Sequence, residues 1–235
     1  MNLTFLKGHF NQNLARVQSV ENPKDRYYII NMTIPEALDW EAGDYALFSF
    51  FDQNNKQFLK FHPFYFASIP KEQKLVVGLK TKNPPNLFEE KVLSMNSEDR
   101  VKIKGPYSSH IIKETNTQPL VLIANGINII PIRAFLKNLK SDSLQPVALI
   151  YISRDFYLFR EELDSIAKRN HSIKIHYVFD HSESSKILKQ LVQKYGNNAF
   201  YYIYGSNKTI SYANQDLKQL SIHKKQIITN QLKRY

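Results

Sequence analysis

The chain has 235 residues, of which 43% are hydrophobic and 23% charged, with 7 Gly and 10 Pro; this is a globular composition that excludes collagen-like, low-complexity and disordered classes. Cysteine is absent, so a disulfide scaffold, a thiolate metal or iron–sulfur site and a cysteine nucleophile are all excluded. Lys and Arg outnumber Asp and Glu by 32 to 21, a net charge of +11, which favours anionic company such as phosphorylated ligands, nucleic acid or an acidic protein.

The first half reads as strands. β-rich segments recur at 13–20, 26–34, 44–51, 59–68, 74–80 and 100–104, separated by turn signals such as Asn22-Pro23, Ala42-Gly43-Asp44 and Ser97-Glu98-Asp99. Six short strands predict an antiparallel six-stranded β-barrel. A polar connector ending at Pro119 changes the pattern. Leu120–Ala124, Val147–Ile152, Ile173–Phe179, Phe200–Tyr204 and Gln226–Thr229 read as strands, alternating with helices over 131–140, 158–168, 184–195 and 207–220. That alternation predicts an α/β domain with a five-stranded parallel sheet, whose ligands bind at the carboxyl ends of the strands. The expected division is a barrel over 1–113 and an α/β domain over 114–235. No stretch reaches the 18 apolar residues of a membrane span, and the start lacks the pattern of a secretory signal, so a cytoplasmic protein is expected.

Three segments carry chemistry. At Leu122-Ile123-Ala124-Asn125-Gly126-Ile127-Asn128-Ile129-Ile130-Pro131 a buried strand turns directly into a helix. Such a turn offers backbone N–H groups and the positive end of the helix dipole to a phosphate, and Asn125 and Asn128 suit it as residues tolerant of positive φ. Phe61-His62-Pro63-Phe64-Tyr65-Phe66-Ala67-Ser68 is an aromatic strand able to line a planar ligand, or simply barrel core. Lys104-Gly105-Pro106-Tyr107-Ser108 ends a strand in a turn.

In this order the segments resemble the ferredoxin–NADP reductase superfamily over nearly the whole chain. Glu41-Ala42-Gly43-Asp44-Tyr45 is similar to that family's Pro-Gly-Gln-Tyr turn. His62-Pro63-Phe64 resembles the His-Pro-Phe of its ferric reductase and NADPH oxidase branch. Gly105-Pro106-Tyr107-Ser108 resembles Gly-Pro-Tyr-Gly, and Ala124 to Pro131 resembles Ala-Gly-Gly-x-Gly-Ile-Thr-Pro. Tyr151-Ile152-Ser153-Arg154 with Phe159-Arg160-Glu161-Glu162-Leu163 is similar to the family's strand, Arg and Phe-Arg-Glu-Glu-Leu helix, and Tyr204-Gly205-Ser206 stands in the place of Cys-Gly-Pro.

The resemblance implies FAD, or less often FMN, on the barrel and NAD(P)H on the α/β domain. It implies that Phe64 lies against the flavin or its ribityl chain, that His62 helps hold the diphosphate, with Pro63 among the cofactor contacts, and that Tyr65 takes the place of a Ser or Thr near the flavin's reactive nitrogen. Ser68, Lys80 and Gly105, Pro106, Tyr107 and Ser108 follow as further flavin contacts. Gly126, Ile127 and Asn128 face the nicotinamide nucleotide's diphosphate and Ser153 and Arg154 its adenosine ribose, with Gly205 and Ser206 as further cofactor contacts. Tyr235, the last residue, either takes the role of an aromatic that covers the flavin face or belongs to a frayed terminus. The implied activity is a soluble flavin-dependent NAD(P)H oxidoreductase passing electrons to a ferric complex, haem protein or small acidic or anionic redox carrier. A non-catalytic relative is the alternative, because Asn125, Asn128, Ile130 and Tyr204 depart from the family's pattern. In addition, the loop Thr81-Lys82-Asn83-Pro84-Pro85-Asn86-Leu87 carries two prolines without N–H groups where the family faces a phosphate. Nucleic-acid binding is not expected, since no basic run exceeds two residues.

Overall fold

In a computed structural model the described residues are 12–52, 57–97, 99–108, 112 and 117–230. The chain folds as two compact units, the first reaching residue 111 and the second spanning 112 to 231.

The first unit is built from β1 (Gln12–Lys24), β2 (Tyr27–Met32), β3 (Tyr45–Asp52), β4 (Gln57–Phe58), β5 (His62–Tyr65), β6 (Leu75–Lys80) and β7 (Arg100–Tyr107), with one helix, α1 (Leu87–Leu93). Its strands are antiparallel in the order β4-β3-β7-β1-β2-β6, with β5 pairing β3. The circuit β5-β3-β7-β1-β2-β6 closes through an isolated bridge between Phe66 and Val77, supported by the Ala67 N–H donating to Val76 O at 2.7 Å. This is the expected six-stranded barrel, with the two-residue β4 appended to β3. The segment expected as one strand over 59–68 is shorter: β5 covers His62–Tyr65, and the next residue, Phe66, bridges Val77 of β6.

Alternation explains the barrel's filling. Ala15, Val17, Phe48, Phe50, Val101 and Ile103 point inward and are fully buried, together with Phe66, Leu75 and Val77, as the two-residue period of a strand requires. On β7 the intervening residues point out. Arg100 lies 4.6 Å from the centre of the Phe51 ring, Lys102 4.1 Å from Phe58 and Lys104 4.4 Å from Phe61. None of these three cations has an ion pair among the described residues.

The second unit holds β8 (Leu120–Asn125), α2 (Ile130–Asn138), β9 (Val147–Ile152), α3 (Arg160–Arg169), β10 (Ile173–Val178), α4 (His181–Tyr195), β11 (Phe200–Tyr204), α5 (Asn207–Gln219) and β12 (Ile227–Asn230). The five strands are parallel in the order β10-β9-β8-β11-β12. β8 and β9 are apolar and buried nearly throughout, as strands covered by helices on both faces must be. Asp180 caps α4 by accepting the Glu183 N–H at 3.0 Å, and Ser206 caps α5 through Thr209 N–H. α2 is tied to α3 by Arg133, whose guanidinium donates twice to Glu162 at 2.8 Å, while Lys137 Nζ lies 2.8 Å from the same carboxylate. Among the described residues no helix is long and apolar enough to cross a membrane.

Candidate functional site

The aromatic strand splits into two faces. His62 and Phe64 point one way: the His62 ring lies flat on Phe88 of α1 at 3.7 Å, and Phe64 is 7% exposed, packed edge-to-face against Phe48 and Phe50 in the barrel core. Tyr65 points the other way. Its register partner is Tyr45, which in turn pairs with Tyr107. The rings meet at 6.1 Å between Tyr45 and Tyr65 and 5.5 Å between Tyr45 and Tyr107, and all three are half-buried. Three adjacent strands thus place three phenol rings next to one another at one end of the barrel, Tyr107 tilted by 35° and Tyr65 edge-on by 69° relative to Tyr45, an aromatic wall able to line a planar ligand.

Asp44 fastens this end together. Its carboxylate accepts the Glu41 N–H at 2.9 Å through Oδ2 and the Ser108 hydroxyl at 2.8 Å through Oδ1, while its carbonyl accepts the Phe66 N–H. Burial raises the Asp44 pKa above the usual carboxyl value, against the lowering effect of those two hydrogen bonds. Ser108 therefore follows Gly105, Pro106 and Tyr107 back to the turn that starts β3. The Gly105-Pro106 peptide bond is cis.

Ser68 stands elsewhere. It is fully buried, its hydroxyl accepts the Val76 N–H at 2.9 Å and its carbonyl accepts the Trp40 indole N–H at 2.9 Å. Lys80 closes β6, its ammonium donating to Tyr27 Oη at 2.8 Å with no carboxylate partner among the described residues. Pro63, between His62 and Phe64, pairs with Leu47 of β3.

In the second unit the predicted residues gather at the carboxyl ends of β8, β9 and β11. Register sets Asn125 beside Ile152 and Ala124 beside Tyr204, so Gly126, Ser153 and Gly205 follow from neighbouring strand ends. The strand order reverses between β8 and β11, the crevice where open α/β sheets receive ligands. Gly126 takes φ +54° and begins a 3-10 turn, Gly126–Ile129, that leads into α2. Asn125 does not use the left-handed region expected of it: its φ is −124°, and Asn128 is not among the positive-φ residues. Their side chains act instead as clamps. The Asn125 amide donates to Ile152 O at 3.3 Å and the Asn128 amide to Asn125 O at 2.9 Å. Tyr151, buried in β9, donates to Gly126 O and accepts the Leu158 N–H, holding the turn from beneath. Ile127 is half-buried within it.

The Ser153 hydroxyl donates to Phe156 O at 2.6 Å and so shapes its own loop, whereas the exposed Arg154 lies 5.9 Å from the ring centre of the exposed Phe179. At Gly205 a Cβ would fall 2.7 Å from Thr209 Cβ and Cγ2, so the strand–helix turn excludes any side chain there. Tyr235 lies outside the described residues. Sequence reasoning missed α1, where Asn86 followed by Glu89 is a capping-box signature.

Residues 10–111 match the family described as an FAD-binding domain. A component of the Na(+)-translocating NADH-quinone reductase of Moritella marina is 25% identical over 173 residues, 67% of this chain and 55% of that protein. The ferric/cupric reductase transmembrane component 1 of Candida albicans is 29% identical over 151 residues, 60% of this chain and 20% of that protein. The chain thus spans about half the length of the first relative and a fifth of the second. Ferredoxin–NADP+ reductase from Plasmodium falciparum shares the fold at a TM-score of 0.78 and 17% identity, over 97% of this chain and 99% of that one.

Proposed function

We propose that this chain, whose residues 10–111 match an FAD-binding domain and whose two units carry the fold of ferredoxin–NADP reductases, is a flavin-dependent NAD(P)H oxidoreductase. It takes electrons from a nicotinamide dinucleotide and passes them to a ferric complex, a haem protein or a small acidic redox carrier. The observation that carries the reading is the wall of Tyr45, Tyr65 and Tyr107 in a barrel matched by FAD-binding domains.

Bound flavin supplies a two-electron acceptor that can release electrons singly. The chain's own residues hold and shield it. The three tyrosine rings would line the flavin's apolar surface, Ser108 stands beside them with its hydroxyl committed to Asp44, and Lys80 would offer a cation to a phosphate. In the second unit the N–H groups of the turn from Gly126 to Asn128 and the Arg154 guanidinium are the donors for a dinucleotide's phosphates.

The absorbance spectrum of the purified protein, followed by anaerobic addition of NADH and then NADPH, tests this. A flavin spectrum that bleaches on addition of either nucleotide is expected; a protein that stays colourless after incubation with FAD and FMN would sink the reading. A second reading, a flavin-binding module without turnover, draws on the Asn125 and Asn128 amides, which bond backbone carbonyls within the turn. A flavin spectrum that neither nucleotide bleaches selects it.

A further inference from the structure

Asp44 reaches all three strands of the tyrosine wall. It immediately precedes Tyr45. Its carbonyl accepts the N–H of Phe66, the residue after Tyr65, at 3.1 Å, and its carboxylate accepts the hydroxyl of Ser108, the residue after Tyr107, at 2.8 Å. The residue is 3% exposed. One hydrogen bond to each carboxylate oxygen, from Ser108 and from the Glu41 N–H, favours the ionised form. Among the described residues no cation pairs with it, and the other charged groups acting on it, Glu41 and Asp39, are carboxylates as well. Glu162, by contrast, is held by both Arg133 and Lys137. A desolvated carboxylate without a counter-ion is costly to keep, and where water does not screen it its field is strong.

On the reading of the wall as the flavin's seat, this charge bears on reduction. A hydride from NAD(P)H carries two electrons and one proton to the flavin and leaves NAD(P)+, so the ligand on the wall gains one unit of negative charge. A fixed negative charge nearby opposes that gain. Reduction becomes less favourable, and the reduced cofactor is correspondingly the stronger donor to the next acceptor. We propose that Asp44 is a positioning residue whose charge also lowers the reduction potential of a flavin held by Tyr45, Tyr65 and Tyr107.

Anaerobic equilibration of the flavin-loaded full-length chain with a reference dye, at about pH 8 and so well above the ordinary carboxyl pKa, reads that potential. Asp44→Asn keeps an oxygen for the Glu41 N–H and an amide able to donate to the Ser108 oxygen, so it removes the charge and spares the links. It is expected to raise the potential, shifting the ratio of reduced to oxidised flavin at a fixed dye potential by about tenfold, which is about 30 mV for a two-electron couple. Ser108→Ala, at an exposed position, cuts one link and keeps the charge; its potential is expected at or below that of the wild type. An Asp44→Asn potential equal to or below the wild type overturns the proposal. So does a Ser108→Ala potential that rises as that of Asp44→Asn does, since position alone then accounts for the effect. Should Asp44→Asn fail to fold, Asp44→Gln takes its place and Ser108→Ala still decides. A chain that binds neither FAD nor FMN refutes the flavin reading of the wall, whereas bound flavin with an unmoved potential refutes the role of Asp44 alone.

Discussion

The Ser108 hydroxyl donates to Asp44 across 64 residues of sequence, at 2.8 Å. That bond joins the turn before β3 to the end of β7, the two places from which Tyr45 and Tyr107 project. The wall is only as well placed as this link. Asp44→Ala leaves the Glu41 N–H and the Ser108 O–H without their acceptor and is expected to cost about 1–3 kcal/mol in chemical denaturation, with flavin affinity falling in parallel.

The same carboxyl predicts a pH dependence. Burial raises its pKa in the folded state, so the folded protein holds the proton more tightly than the unfolded chain. Stability associated with Asp44 is therefore greatest below the ordinary carboxyl pKa and declines as pH rises through the raised value. Asp44→Asn abolishes that decline. The difference in unfolding temperature between the variant and the wild type should shift in the variant's favour from about pH 4 upward; parallel curves would refute it.

Glu162 behaves in the opposite sense. Burial would raise its pKa, but the hydrogen bonds from Arg133 and Lys137 outweigh it and hold the carboxyl below its usual value. Stability from this trio is present above the ordinary carboxyl pKa and is lost as pH falls through the lowered one. Arg133 is buried, so Arg133→Met, which keeps the bulk and loses the charge, should cost about 2–4 kcal/mol at neutral pH. The cost should shrink in acid, read from denaturation curves at the two pH values.

Gly205→Ala places a methyl group 2.7 Å from Thr209. The start of α5 must shift to admit it, at an expected cost of about 1–3 kcal/mol. Both the thermal midpoint and the affinity for the nicotinamide nucleotide should fall, measured by calorimetry and by titration of flavin reduction.

Arg154→Ala, on an exposed side chain, should leave stability within about 0.5 kcal/mol of the wild type. If its guanidinium meets a 2′-phosphate, KM for NADPH rises about tenfold while KM for NADH stays put. Equal changes for both nucleotides would remove that contact.

Much of the architecture was legible because it rests on periodicity. Alternation marked β1, where Ala15 and Val17 are buried and Leu14 is 49% exposed, and unbroken apolar runs marked β8 and β9. The end of β5 at Tyr65 was less legible, since aromatic residues continue through Phe66 and only the long-range bridge from Phe66 to β6 shows where the strand ends. α1 was hidden by Pro84 and Pro85, which read as loop although the Asn86 and Glu89 signature stood immediately behind them. At the second site, the cluster of Gly126, Ser153 and Gly205 followed from strand order, but the conformation of Asn125 and Asn128 did not. Asn125 bonds the carbonyl of Ile152, on a neighbouring strand remote in sequence, and Asn128 bonds the carbonyl of Asn125 in turn.

The outward row of β7 has a kinetic meaning. Arg100, Lys102 and Lys104 rest on phenylalanine rings and face no carboxylate among the described residues, so their field is not cancelled at its source. A ring holds a cation in place without neutralising it. The barrel therefore keeps a long-range pull on any negatively charged body approaching from that side, and dissolved salt rather than the protein sets its reach. For an anionic electron acceptor, ionic strength would then govern how often encounters occur far more than how long each one lasts.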